Sequence, residues 1–139
     1  MTLHTTLLCT LAASLLLYAC PPGTTHHEDT DVGSACFPVD AQEDAALPVE
    51  IRDTCFSGST QNLELSCSVE VNGDTISISS TAEYDLPNEI TDDCQDQRAT
   101  CTSAPLPAGN YTVTYGPNQA SLEVPGPDAK DPDICILGR

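Results

Sequence analysis

Apolar and polar residues alternate strictly between positions 63 and 71. Leu63, Leu65, Cys67, Val69 and Val71 are separated by Glu64, Ser66, Ser68 and Glu70. A period of two puts the first set on one face of a β-strand, predicted to be buried. Asn72-Gly73 follows, a tight-turn signal because both residue types tolerate positive φ. TISISST then returns with Ile76 and Ile78 against Thr75, Ser77 and Ser79, so residues 63–81 are predicted to form a hairpin. The same period recurs in NYTVTYG, with Tyr111, Val113 and Tyr115 on one face, and in ASLEV, with Leu122 and Val124 inward. LPAG at 106–109 and Gly116-Pro117-Asn118 supply turns. QRATCTSA, 97–104, reads as a further strand. LPVEIR, 47–52, reads as an edge strand, because Pro48 cannot donate to a central ladder. Residues 82–96 are predicted to form an acidic loop with at most one helical turn after Pro87. Six or seven short strands without a sustained helical period predict an all-β sandwich.

The front of the chain breaks this pattern. Residues 5–19 are uncharged, with an apolar core from Leu7 to Ala19. That core falls short of the roughly 20 residues a membrane span needs and fits the apolar region of a cleaved secretory signal, residues 1–19. The preceding region carries His4 but no Lys or Arg. Leu17-Tyr18-Ala19-Cys20 resembles the bacterial lipobox, in which Leu and a small residue precede an acylated cysteine; Tyr18 departs from the usual small or β-branched residue. The resemblance implies cleavage before Cys20 and a lipid on its sulfur. Two or more acyl chains hold a protein stably on a membrane, each buried CH₂ contributing about 0.8 kcal/mol. Pro21 stands where Asp would signal inner-membrane retention in many envelopes, so the expected destination is the outer membrane. CPPGTTHHEDTDVGSA, residues 20–35, has no apolar period and is predicted to be a disordered acidic tether.

The chain has eight cysteines. Cys9 leaves with the leader and Cys20 takes the lipid, so Cys36, Cys55, Cys67, Cys94, Cys101 and Cys135 remain. An even set in an exported chain reads as up to three disulfides. Cys67 and Cys101 lie on different predicted strands and make a plausible inter-sheet bridge. Cys36 or Cys55 could then join Cys135 and staple the termini, and other pairings stay open. The domain proper is expected to span 36–124, followed by a Pro- and Asp-rich tail, 125–139, pinned by Cys135.

Two local patterns extend the reading. LPAGNYTVTYG resembles the turn and strand found late in immunoglobulin-like or fibronectin-like modules, which implies that variety of β-sandwich. Residues 55–125 resemble small cysteine-rich lipoproteins of myxobacterial type through SCSVEVNGDTISISS, ATCTSAPLPAGNYTVTYG and SLEVPG. That resemblance implies an exported compartment and a β fold, and it brings no catalytic residue.

Composition narrows the partners. Without the leader about 120 residues remain, enough for one domain. There is no Trp, so modest apolar content makes cross-links a natural supplement to the core. The net charge of −17 repels phosphate backbones, which excludes nucleic acid as a natural partner. It equally disfavours anionic headgroups, leaving acyl chains as the route to a membrane.

No catalytic arrangement stands out. His26 and His27 fall in the tether, where no base can be held beside a nucleophile. No Gly-x-Ser-x-Gly elbow or phosphate-binding loop occurs. No Cys-x₂-Cys pair suggests zinc. No cofactor and no specific metal site are predicted, and the chain is not expected to be an enzyme. The expected function is that of a lipid-anchored interaction or structural module of the bacterial envelope, meeting an envelope protein or a polysaccharide. One alternative is a Ca²⁺-dependent adhesion domain using acids at Asp29-Thr30-Asp31, 89–96 or 128–133. Another is a hydrolase inhibitor presenting the 82–96 loop.

Overall fold

The computed structural model describes residues 23–128 and 133–139. Nine strands follow in order: β1 (Thr24–Thr30), β2 (Ser34–Pro38), β3 (Ala45–Ser57), β4 (Gln61–Asn72), β5 (Thr75–Pro87), β6 (Cys94–Leu106), β7 (Gly109–Tyr115), β8 (Asn118–Val124) and β9 (Asp133–Leu137). They build two packed sheets, and no helix occurs among the described residues. One sheet is ordered β6-β3-β2-β9 and is antiparallel throughout. In the other, β5 is central. One side of β5 pairs with β4; the other is shared by β7, which covers residues 75–78, and β1, which covers 81–87. β8 follows β7. The β5–β7 pair is parallel, a departure from the antiparallel sheets of the immunoglobulin pattern.

The predicted hairpin is present as β4–β5, closed by the Asn72↔Thr75 pair. Its two loop residues are Gly73 and Asp74, and only Gly73 has positive φ, at 62°. That places the turn one residue later than the Asn-Gly reading, with glycine at the position that needs it. β7 and β8 pair as their alternation requires, from Gly109↔Val124 to Tyr115↔Asn118. The Tyr111 hydroxyl donates to the Pro107 carbonyl at 2.8 Å, locking the corner that precedes β7.

Four expectations are corrected. First, residues 20–35 are not a disordered tether throughout: β1 pairs with β5 from Thr24↔Pro87 to Thr30↔Thr81, and β2 begins at Ser34. β5 runs 13 residues while β7 covers only its first part, so its far edge is open to a partner strand. β1 fills that edge by backbone pairing and is polar on both faces, so it shows no apolar period. Second, the sandwich exceeds 36–124 at both ends, since β9 pairs with β2 from Ser34↔Leu137 to Pro38↔Asp133. Third, residues 47–52 belong to a central strand, β3. Pro48 is tolerated because pairing with β2 covers only 50–52 and a register shift on the β6 side falls between Ala46 and Pro48. Fourth, residues 82–87 are strand, and 88–93 form the loop with no helical turn.

The core lies between the sheets. Phe37, Leu47, Val49 and Ile51 from one meet Ile76, Val113, Tyr115 and Leu122 from the other. Leu63, predicted to be buried with its neighbours, is only half-buried, as are Leu65, Cys67, Val69 and Val71, because β4 is an edge strand.

Three buried hydroxyls close gaps in this frame. The Tyr115 hydroxyl donates to the Val32 carbonyl at 2.6 Å. It therefore accepts from Ser80 Oγ, also at 2.6 Å, and Ser80 Oγ accepts the Val32 N–H at 3.2 Å. The ring satisfies every group and fixes the β1–β2 connection to the core. At the irregularity before Pro48, the Leu47 N–H is taken by Ser103 Oγ at 2.9 Å.

Candidate functional site

The outer face of β3 and β6 carries the most organised polar chemistry. Alternation along β3 sends Leu47, Val49 and Ile51 inward and Pro48, Glu50 and Arg52 outward. The register sets Arg52 directly opposite Arg98, and like charges so placed repel. Glu50 resolves the conflict. Arg98 Nη1 donates to Glu50 Oε1 at 2.6 Å and Arg52 Nη2 donates to Glu50 Oε2 at 2.9 Å. Arg52 Nη2 also donates to Asp133 Oδ2 of β9 at 3.2 Å, so the network spans three strands. The hydrogen bond from Arg52, then that from Arg98, holds the Glu50 carboxyl below its ordinary pKa. The Glu50 carboxylate raises that of Arg52 in turn.

Beside this network lies a hollow of about 370 Å³, lined among others by Pro38, Pro48, Glu50, Arg52, Thr100 and Thr102. Its size falls near the lower end for small-ligand sites. Arg52 Nε is shielded from solvent and has no hydrogen-bond partner. Guanidinium donors, threonine hydroxyls and a carboxylate can read a polar ligand, and rigid strands hold them in place. The sequence offered Glu50-Ile51-Arg52 and Arg98 as alternating positions, but the Arg52–Arg98 register that joins them is a tertiary fact.

The residues singled out from the sequence fall elsewhere. Cys20, with the signal peptide 1–19, lies outside the described residues. The six other cysteines form three disulfides. Cys67–Cys101 joins β4 to β6 across the two sheets, as expected. Cys36–Cys135 staples β2 to β9, one of the two options foreseen for Cys135. Cys55–Cys94 joins β3 to β6 and was not singled out. None of the six is left as a thiol. Disulfides persist in oxidising compartments, so these bridges indicate an extracytoplasmic location.

His26 and His27 are consecutive strand residues and point to opposite faces. His26 Nδ1 lies 3.0 Å from Asp85 Oδ1, whose partner oxygen accepts from Asn62 Nδ2 at 2.7 Å. Asn62 first, then His26, keeps the Asp85 carboxyl below its ordinary value. His27 stacks on Tyr84 with ring centroids 5.3 Å apart, and Phe56 meets the same ring edge-on. Tyr84 donates to Asp29 Oδ2 at 2.6 Å. Burial first, then Asp29, pushes its pKa up to about 12. Among the described residues no three His, Cys, Asp or Glu side chains come together in a group that could hold a metal ion. The acidic stretch 128–133 lies partly outside the described residues.

Comparison with protein-family models, with curated proteins and with solved structures finds no match to this chain.

Proposed function

We propose that this protein is a lipid-anchored, non-enzymatic binding module displayed on the bacterial cell envelope, moored through Cys20. The observation that carries the reading is the position of β1. It starts at Thr24, four residues after the anchor cysteine, and is paired with β5 over its whole length. Residues 20–23 span at most about 14 Å when extended. An acyl group on Cys20 would therefore hold the stapled sandwich close against the membrane, and not on a long tether. The backbone N–H of Asn88 donates to the Gly23 carbonyl at 2.9 Å, so the 88–93 loop sits at the anchored end. Its Ile90 is 62% exposed and would face the lipid surface. The opposite end and the outer sheet faces, including the Glu50–Arg52–Arg98 hollow, are then free to meet an envelope protein or polysaccharide.

Intact mass spectrometry of the protein extracted from bacterial membranes, with and without reduction, tests this. The expected mass lacks residues 1–19, carries a diacylglycerol and any amine-linked acyl chain, and gains six hydrogens on reduction as three disulfides open. Cys20→Ser is expected to shift the protein to the soluble fraction. A fat-free natural product overturns the proposal.

A further inference from the structure

The outer edge of β4 has no paired strand, though β6 of the other sheet lies against β4 through the Cys67–Cys101 bridge. From Glu64 to Asn72 its register with β5 is unbroken, and β4 pairs with no other strand among the described residues. Every second residue of that stretch therefore directs its N–H and C=O away from the sheet. Natural sheets blunt such edges with proline, charged residues (lysine above all), bulges or brevity. Two of the other edges follow that practice. β6 carries Arg98 and Pro105, and β9 has five residues. Residues 64–72 have no proline, lysine, arginine or bulge, and their only charged side chains are Glu64 and Glu70. Leu65, Val69 and Val71 stay half-buried at the mouth between the sheets, beside β6.

Charge selects the occupant. On the outer face of the sheet, Glu28 stands opposite Glu83 and Glu83 opposite Glu64. Three carboxylates thus line up across β1, β5 and β4, all exposed, and no salt bridge among the described residues neutralises them. Like charges on facing strands are unfavourable, and this row ends at the open edge. A second copy would worsen it. Antiparallel pairing of two β4 strands about Cys67 sets Glu64 against Glu70 twice, between chains that each carry −17. A cationic strand would relieve it.

We propose that β4 accepts an extended segment of another protein by strand addition, with lysine or arginine meeting Glu64 and Glu70 and apolar residues extending the row of Leu65, Val69 and Val71. The open edge carries this inference, and it goes beyond surface display because it does not depend on acylation.

The test uses the full chain, oxidised and in detergent, with an octapeptide alternating valine and lysine as the probe. Amide hydrogen exchange should show new protection within 64–72, with the rest of the sandwich unchanged. Fluorescence anisotropy should show the valine–lysine peptide binding about tenfold more tightly than its valine–glutamate counterpart, the scale of two facing charge pairs. Glu64→Lys with Glu70→Lys should reverse that preference, and both side chains are exposed, so the fold should survive. A valine–lysine peptide N-methylated at alternate amides should not bind. Binding without protection in 64–72, or equal binding by the methylated peptide, overturns the proposal in favour of unspecific charge attraction. Sedimentation of a β4-linked homodimer overturns it in favour of a second copy. Absence of lipid on Cys20 would sink the mooring and leave these outcomes untouched.

Discussion

The hydroxyl ring joins the buried Tyr115 and Ser80 side chains to the partly buried backbone of Val32. Tyr115 is fully buried, and its hydroxyl gives its proton to Val32 while taking one from Ser80. Tyr115→Phe strands the Val32 carbonyl and the Ser80 proton, and an unmade buried hydrogen bond costs about 1–3 kcal/mol. Urea denaturation of the variant is expected to show a loss of that size with an unchanged m value; a loss below about 0.5 kcal/mol would mean that water replaces the hydroxyl. Tyr84 gives a pH signature. Its folded pKa of about 12 stands above the ordinary 10.0, so the folded chain holds this proton more tightly than the unfolded chain. The resulting stability is fully present below pH 10 and is lost as pH rises toward 12. Thermal melts across that range should show the decline, and Tyr84→Phe should remove the part due to this residue. Alternation identified Tyr115 as inward-facing, but its partner Val32 lies 83 positions away and could not be read from local pattern.

Among the elements, β9 depends most on a cross-link. It has five residues, and Cys36–Cys135 ties it to β2 across 99 positions of sequence. In the chain-entropy view a loop of that length is worth up to about 4–5 kcal/mol, often less in practice. Replacing both cysteines by alanine is expected to lower stability by about 2–5 kcal/mol, with exchange protection lost first in β9. Uniform loss of protection through the whole sandwich would instead show that β9 is no separate unit. The three bridges also differ in access. Cys55 and Cys94 are both exposed, whereas Cys135 is exposed but its partner Cys36 is buried, and Cys67 and Cys101 are half-buried. Limited reduction followed by alkylation is expected to label Cys55 and Cys94 before the others. At this scale strong alternation was a reliable guide: β4, β7 and β8 stand where it placed them, and β5 starts there but runs on to Pro87. It failed for β1, whose polar residues pair through the backbone and through His26 and Tyr84.

For the whole molecule, net charge opposes compaction. With −17 at pH 7 and only four basic side chains, self-repulsion is felt across the fold. Salt screens such charges, with a Debye length of about 30 Å at 0.01 M and about 10 Å at 0.1 M. The melting temperature is therefore expected to rise by a few degrees over that range of NaCl in differential scanning calorimetry. A fall would mean that the Glu50–Arg52–Arg98 pairing outweighs the repulsion.

The chain alone determined its class, because period-two alternation, turn residues and paired cysteines act over a few positions or by simple parity. It also pointed to Cys67–Cys101 as an inter-sheet bridge, but other pairings stayed open until the structure joined the two strands. Tertiary structure alone decided the rest. Which strand lies beside which is set by competition among many similar polar and β-branched segments, and the free energy that decides it comes from long-range register and packing. That competition made β3 central despite Pro48, drew β1 out of an apparent tether, set Arg52 against Arg98 with Glu50 between them, and left β4 with an open edge.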